Sequence, residues 1–192
     1  MSTERAGRPG YLTLVCQGAT RATRLNAFPD DDPLEAMDVA GVLARMSLPG
    51  RRWNAVFTSP ATSARQTAEA LRLEATPLPE LADCGFGRWR GQRLHEVQAR
   101  EPAALETWLS DLSAAPHGGD SLQGVGERAL GWLDGLLTEQ GQIIAITNSI
   151  VIRWLIVGVL EAPSRSFWRI DVTPLSCVEL ATNGIRWSLR IG

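Results

Sequence analysis

The chain has 192 residues, of which 44% are hydrophobic and 21% are charged, and its formal net charge is −2. This length and composition predict one globular domain that buries a substantial core without metals or disulfides. Because the arginines are scattered and the net charge is slightly negative, we expect a small-molecule ligand rather than nucleic acid or a membrane surface, and the oligomeric state stays open.

Strands and helices alternate in the first half of the chain. We expect residues 1–9 to form a flexible tail and residues 10–192 to form a single domain. The elements predicted in this half are a buried strand over 11–16, a helix over 33–48, a strand over 54–59 and a helix over 59–73 with Ser59 as its N-cap. Residues 76–119 are richer in Pro and Gly, and they indicate an excursion from the sheet that includes one helix near its end.

The second half continues the alternation and ends in a hairpin. The elements predicted here are a helix over 120–140 capped by Asp120 and Ser121, a strand over 142–147, a helix over 149–160 and a hairpin that turns at Asn183 and Gly184. Polar residues, Asn148, Ser149 and Arg153, interrupt the apolar stretch 143–160. This stretch is therefore better explained by a buried strand and a buried helix than by a membrane span.

This order of elements predicts a three-layer α/β/α sandwich. Its central sheet is expected to be mainly parallel, with an antiparallel edge contributed by the last hairpin. Ligands of such sheets bind outside the carboxyl ends of the strands. The candidate site therefore lies at three strand ends, which are Cys16-Gln17, Thr58-Ser59 and Thr147-Asn148.

Cysteine usage and motifs indicate neither an exported protein nor a cofactor enzyme. The three cysteines are far apart and include no C-x-x-C pair, which fits neither a disulfide framework nor a zinc site. We expect a cytoplasmic protein, because no long apolar stretch follows the charged amino terminus. The sequence contains no Gly-rich nucleotide loop, and we expect no cofactor and no metal.

Five segments resemble, in order and over nearly the whole chain, the motifs of the histidine phosphatase superfamily, whose fold is that of phosphoglycerate mutase. These segments are LVCQGAT, TSPATSARQTAEAL, LADCGFGRWRG, GGDS and IIAITNSIVIRWLI. The resemblance implies phosphoryl transfer through a phosphorylated histidine. In that chemistry two arginines and a second histidine bind the phosphoryl oxygens, and an acid protonates the leaving group.

At most of the matching positions this sequence has other residue types. Gln17 stands at the nucleophilic histidine, Cys16 and Ser63 stand at the two arginines, and Asn148 stands at the second histidine, whereas Asp83 keeps the position of the acid. A carboxamide nitrogen is a poor nucleophile, because its lone pair is delocalised into the carbonyl. Each missing preorganised donor costs about 2.7–4 kcal/mol of transition-state stabilisation. The sequence therefore predicts a divergent member without phosphohistidine chemistry.

Two interpretations follow. In the first, the pocket is repurposed for a neutral or weakly cationic small molecule, with Asp83 as general acid/base and Cys16 as a candidate nucleophile. In the second, the protein is a non-catalytic pseudophosphatase that binds a ligand or a regulatory partner. In both, small polar replacements indicate a reshaped pocket rather than a blocked one.

The candidate ligand contacts are Gln17, Ser63, Asn148, Arg24 and His117. His117 precedes two glycines on a loop that we expect near the mouth of the cleft. Several candidates also have a structural explanation: Cys16 fits an inert buried thiol, the Gln17 and Asn148 amides fit a mutual pair, and Asp83 fits a loop acid that caps backbone N–H groups.

Overall fold

The structure is a computed structural model, and it describes residues 9–36, 48 and 51–191. The strands are Gly10–Cys16 (β1), Ala55–Thr58 (β2), Thr76–Pro77 (β3), Gly141–Thr147 (β4), Cys177–Thr182 (β5) and Trp187–Arg190 (β6). The α-helices are Arg21–Leu25 (α1), Thr62–Ala70 (α2), Leu94–Arg100 (α3), Pro102–Ser110 (α4), Leu122–Gly135 (α5) and Ser149–Val159 (α6). Short 3-10 helices cover Pro79–Leu81, Gly87–Trp89 and Ser164–Arg169.

Six strands form one mixed sheet in the order β3-β2-β4-β1-β5-β6. The first four strands of the chain pair in parallel, and β5 and β6 add an antiparallel edge. The hairpin between them turns as predicted, because the Asn183 side chain accepts the backbone N–H of Ile185 and Gly184 takes a φ of +85°. The predicted α/β fold with an antiparallel edge is confirmed.

Helices cover both faces of the central strands. In β4, Ile143 and Ala145 belong to one apolar cluster, whereas Ile144 and Ile146 belong to another. Helices α5 and α6 pack in the first cluster, and α2 contributes Ala64 to the second. A strand that buries alternate residues against opposite layers must be apolar throughout, which explains its continuous hydrophobic sequence.

The strand register brings the predicted strand ends together. Cys16 at the end of β1 lies opposite Thr147 at the end of β4. The backbone N–H of Gln17 donates to the Thr147 carbonyl oxygen at 2.7 Å, and that of Ser59 donates to the Ile146 carbonyl oxygen at 2.8 Å. All three junctions therefore meet at one edge of the sheet.

One predicted helix start is wrong and another is right in part. Helix α2 begins at Thr62 rather than after Ser59, because the Ser59 hydroxyl accepts the N–H of Ala61 in the turn before the helix. Helix α5 begins at Leu122, and Ser121 caps it as predicted by accepting the N–H of Gly124, whereas Asp120 takes no part in the cap.

Two predictions fall largely outside the described residues. These are the tail over 1–9, of which residues 1–8 are not described, and the helix over 33–48, of which residues 37–47 are not described. The apolar stretch 143–160 folds as strand β4 and helix α6, as predicted. Among the described residues, every helix is too short or too polar to span a bilayer.

Candidate functional site

A cleft of about 580 Å³ opens at the carboxyl ends of β1 and β4. This volume lies in the range that small-molecule sites occupy. Its lining includes five of the predicted site residues, Cys16, Gln17, Ser63, Asp83 and Asn148. The fold therefore gathers at one place side chains that are up to 132 residues apart in the chain (148 − 16).

Gln17 follows β1, and its side chain has no partner for its oxygen. Its Oε1 atom is buried and finds no hydrogen-bond donor among the described residues. The loop that carries it is held by helix α2, where the Thr67 hydroxyl accepts the N–H of Gly18 at 3.0 Å. A buried acceptor without a donor is unfavourable, and a ligand N–H or O–H at this place would relieve it.

Asn148 is occupied by the protein itself. Its Oδ1 atom accepts the N–H of Val151 at 2.9 Å and so caps helix α6, and its Nδ2 atom donates to the Thr147 hydroxyl at 3.3 Å. The expected pairing of Gln17 with Asn148 is therefore wrong, because the helix start takes the Asn148 carbonyl first. Asn148 still lines the cleft, but mainly as a structural cap.

Asp83 lies on the loop after β3 and is partly accessible from the cleft. Burial raises the pKa of this carboxyl to about 6, although the Cys84 N–H and the Arg128 charge act in the opposite direction. The Cys84 N–H donates to Asp83 Oδ1 at 2.8 Å, and Arg128 braces the loop by donating to the Ala82 carbonyl oxygen at 2.7 Å. A carboxyl that titrates near neutrality is suited to general acid–base catalysis.

The Cys16 thiol is 4% exposed and lies beside Asp83. Burial and the Asp83 charge raise the pKa of Cys16 to about 12, and the nearby Arg153 charge only partly opposes this. Nucleophilic attack requires the thiolate, which is scarce at neutral pH at such a pKa. The environment therefore favours the inert thiol over the predicted nucleophile.

We expect iodoacetamide at pH 7.5 to leave Cys16 unmodified in the folded protein. A pKa of about 12, against 9.0 for an ordinary thiol, lowers the thiolate fraction about a thousandfold. Mass spectrometry of peptides sampled over time measures the rate, and the same protein in urea, where all three thiols react, is the control. Equal rates for Cys16 in the folded and unfolded protein would contradict this assignment.

Arg153 also lines the cleft, and the sequence analysis did not identify it as a site residue. It projects from the first half of α6, half-buried, with its guanidinium carbon 5.6 Å from the centre of the Phe167 ring. Its Nε atom is buried and has no acceptor among the described residues. The signal in the sequence was a single arginine, six residues after the end of β4, in an otherwise apolar helix.

Aromatic side chains form one wall of the cleft. Phe28, Phe86, Trp108 and Trp168 all line it. The rings of Trp108 and Trp168 meet edge to face with their centres 5.2 Å apart, and 39% of Trp168 is exposed. Rigid rings of this kind offer an apolar surface for a ligand without losing much side-chain entropy on binding.

Most charged side chains in the described lining of the cleft are negative. The charged residues are Asp31, Asp32, Asp83, Asp120, Arg90 and Arg153. The positive charge of Arg90 is offset by Asp30, to which it is paired at 2.7 Å. In the described ranges, 9–36, 48 and 51–191, no group of three or more His, Cys, Asp or Glu side chains is arranged to hold a metal ion.

A sequence model of the histidine phosphatase superfamily, branch 1, matches residues 29–191. The chain belongs to this superfamily. The matched segment contains Ser63, Asp83, Asn148 and Arg153, whereas Gln17 at the end of β1 precedes it.

Curated proteins from mycobacteria are similar to this chain. A bifunctional protein of Mycobacterium tuberculosis is 30% identical over 138 residues, which are 68% of this chain and 38% of that protein. The chain thus spans well under half the length of the curated relatives that it matches first.

Solved structures of the superfamily share the fold. YhfR of Bacillus stearothermophilus superposes with a TM-score of 0.83 at 20% identity, covering 95% of this chain and 96% of the other. Mycobacterial glucosyl-3-phosphoglycerate phosphatase in complex with VO3 superposes with a TM-score of 0.80 at 22% identity, covering 94% and 97%. At these identities the likeness establishes the fold of the histidine phosphatase superfamily and no particular activity.

Two candidate contacts lie away from the cleft of this histidine phosphatase fold. Arg24 is exposed, and its Nε donates to Glu35 at 2.9 Å. His117, expected near the cleft mouth, is 1% exposed: its Nδ1 accepts the N–H of Gly119 at 3.0 Å and its ring packs against Trp89. Neither residue belongs to the described lining of the cleft: Arg24 pairs with Glu35, and His117 is held in its own loop with its Nε2 buried and without a partner among the described residues.

The superfamily's Gly-Gly-acid-Ser segment supports the Asp83 loop here. Asp120 accepts the N–H of Gly85 at 2.9 Å through its side chain and donates its own N–H to the Gly85 carbonyl oxygen at 2.7 Å. A side chain at Gly119 would collide with that same carbonyl, so a glycine is required there. Asp120 is therefore a loop brace rather than the predicted helix cap.

Proposed function

We propose that this protein binds a neutral or weakly cationic small molecule in its cleft and exchanges a proton with it through Asp83, without forming a phosphohistidine. The observation that carries the proposal is the set of neutral side chains in the cleft lining, Gln17 and Asn148 at two strand ends and Ser63 in the first turn of α2. The resemblance to the superfamily assigns phosphoryl-binding or nucleophilic roles to these positions. Amide and hydroxyl groups there favour hydrogen bonding to an uncharged or dipolar ligand.

The charge balance opposes a phosphoryl group. Arg153 is the one lining arginine, within the described cleft, that lacks an ion pair within 4 Å. Four aspartates share that lining. A dianion would gain one guanidinium contact and meet repulsion from the carboxylates, whereas phosphoryl transfer depends on several preorganised positive donors.

Proton exchange is supported at Asp83. Its pKa of about 6 leaves both protonation states populated near neutrality. The alternative covalent route through Cys16 is disfavoured, since the pKa of that thiol is about 12. The proposal is therefore general acid–base chemistry without a covalent intermediate.

A non-catalytic pseudophosphatase is the second candidate. It is favoured by Asn148, whose carbonyl is committed to capping α6, and by the absence of a ready nucleophile among the described lining residues. Turnover that Asp83→Asn abolishes would favour the enzyme, whereas a ligand that is bound and recovered unchanged would favour the binder.

The wild-type chain is used to test whether the cleft binds or transfers a phosphoryl group. We expect no acid-labile radioactive label after incubation with ³²P-acetyl phosphate, and no hydrolysis of p-nitrophenyl phosphate above the buffer rate. Titration with inorganic phosphate is expected to give no saturable heat. Hydrolysis that Asp83→Asn removes, or a stoichiometric label on the protein, would overturn the proposal and favour the activity named for the phosphatase neighbours.

A further inference from the structure

Arg153 and Asp83 are opposite charges in one cleft that do not neutralise each other. Both side chains line the cleft, and both charges affect the pKa of the Cys16 thiol, in opposite directions. No ion pair within 4 Å joins Arg153 to any acid in the described part of the chain. The same lining contains Cys16 and Gln17, whose Oε1 atom has no hydrogen-bond partner among the described residues.

We propose that the cleft binds an amino-acid-like zwitterion whose carboxylate pairs with Arg153, whose ammonium group pairs with Asp83, and whose apolar side group packs against Trp108 and Trp168. This inference rests on the proposed function and names its ligand class. Such a ligand has no net charge, and its two charged groups are opposite in sign to Arg153 and Asp83.

The Arg153 guanidinium is prepared for a planar anion. It is half-buried, its Nε has no acceptor among the described residues, and it lies over the Phe167 ring. The exposed Asp171 supplies charge from a distance but forms no ion pair within 4 Å. A desolvated guanidinium without a partner is unfavourable, and a carboxylate matches its two-pronged geometry.

The ammonium group of the ligand faces two hydrogen-bond acceptors of the cleft. Asp83 Oδ1 holds the Cys84 N–H, which leaves Asp83 Oδ2 for the ligand. Gln17 Oε1 supplies a second acceptor. An ammonium group has three N–H donors, so it satisfies both acceptors, whereas a carboxylate or a phosphate would leave both without a donor.

The aromatic wall determines the third part of the ligand. Trp108 is 7% exposed and Trp168 is 39% exposed, so the pair forms a surface that runs from the interior to the cleft mouth. Leu109, 47% exposed, extends this apolar surface. An apolar side group of the ligand buries area here, while its charged end reaches Arg153 and Asp83.

Three probes that share a benzene ring test the proposal by isothermal titration calorimetry on the full chain. L-phenylalanine carries both charges, phenethylamine only the positive charge, and 3-phenylpropionate only the negative charge. We expect L-phenylalanine to bind at least about tenfold tighter than either analogue, since each charge-assisted pair contributes about this factor. This comparison needs no variant.

Variants then test which side chain pairs with each charged group of the ligand. Arg153→Gln should weaken L-phenylalanine binding about tenfold and leave phenethylamine unchanged, and Asp83→Asn should weaken phenethylamine and leave 3-phenylpropionate unchanged. Arg153→Lys should restore part of the loss. Arg165→Gln removes an exposed arginine of the Ser164–Arg169 turn and serves as the matched control.

The outcomes separate this inference from the proposed function. Absence of L-phenylalanine binding to the wild-type chain, or equal affinity in Arg153→Gln, would overturn the zwitterion. If inorganic phosphate also fails to bind, the proposed function stands and only the ligand class is lost. Saturable phosphate binding that Arg153→Gln abolishes would overturn both.

Discussion

A variant with the superfamily's residue types at four cleft positions should acquire a phosphohistidine intermediate, which we do not expect in the wild-type chain. Its substitutions are Cys16→Arg, Gln17→His, Ser63→Arg and Asn148→His. All four side chains line the cleft, and the β1–β4 register already places positions 17 and 148 at adjoining strand ends. The replacements add a nucleophile and positively charged donors to a cleft whose other lining residues are unchanged. Asp83 remains to protonate the leaving group.

We expect hydrolysis of p-nitrophenyl phosphate to rise at least about a hundredfold above the wild-type level, because a single preorganised donor contributes about 10²–10³ in rate. The variant is also expected to be less stable than wild type, since Asn148→His removes the helix cap to Val151 and the two new arginines replace buried side chains. Phosphatase assays and ³²P labelling measure the gain, and circular dichroism confirms folding.

The matched control keeps Gln17 and carries the other three substitutions. It should bind inorganic phosphate without becoming labelled, because charge is restored without the nucleophile. A folded quadruple variant that neither binds phosphate nor turns over would show that the cleft walls have also diverged. Equal labelling of wild type and variant would contradict the loss of phosphohistidine chemistry.

Asp83→Asn should make the protein more stable at pH 8 and leave its stability unchanged at pH 4. The folded-state pKa of Asp83 is about 6, against 3.8 for an ordinary aspartate, so the folded protein binds this proton more tightly than the unfolded chain does. The favourable contribution is therefore complete below pH 4 and is lost as the pH rises through 6.

The size of the effect follows from the same shift. A difference of about 2 pKa units corresponds to about 3 kcal/mol of unfolding free energy at pH 8, as an upper value. Asparagine keeps an acceptor for the Cys84 N–H, which Asp83 holds at 2.8 Å, so the substitution removes the buried charge and little else. Urea unfolding at both pH values gives the difference.

Asp111→Asn is the control of opposite sign. Hydrogen bonds from Ser113 lower the pKa of Asp111, so its ionised form stabilises the fold and its removal should destabilise the protein at pH 8. If Asp83→Asn were less stable than wild type at pH 8, Asp83 would be a structural carboxylate rather than a group held for chemistry.

Several aspects of this protein were determined by sequence alone. Short apolar runs predicted β1 and β4, and a longer apolar segment predicted α6. The Asn183-Gly184 pair predicted the final turn. The five motif segments predicted the superfamily, and the element order predicted the strand ends at which the candidate cleft opens. These features are local in the chain, because hydrogen-bonding period, turn chemistry and motif spacing act over a few residues.

Only the tertiary structure decided which polar side chains are free for a ligand. Arg24 was a predicted ligand contact but pairs with Glu35, and His117 is enclosed by its own loop. Arg153, in an apolar helix, lines the cleft instead. The near-neutral pKa of Asp83 likewise depends on surrounding residues from distant segments. Burial, desolvation and charge pairing depend on distances between residues far apart in sequence, and the folded chain alone establishes those distances.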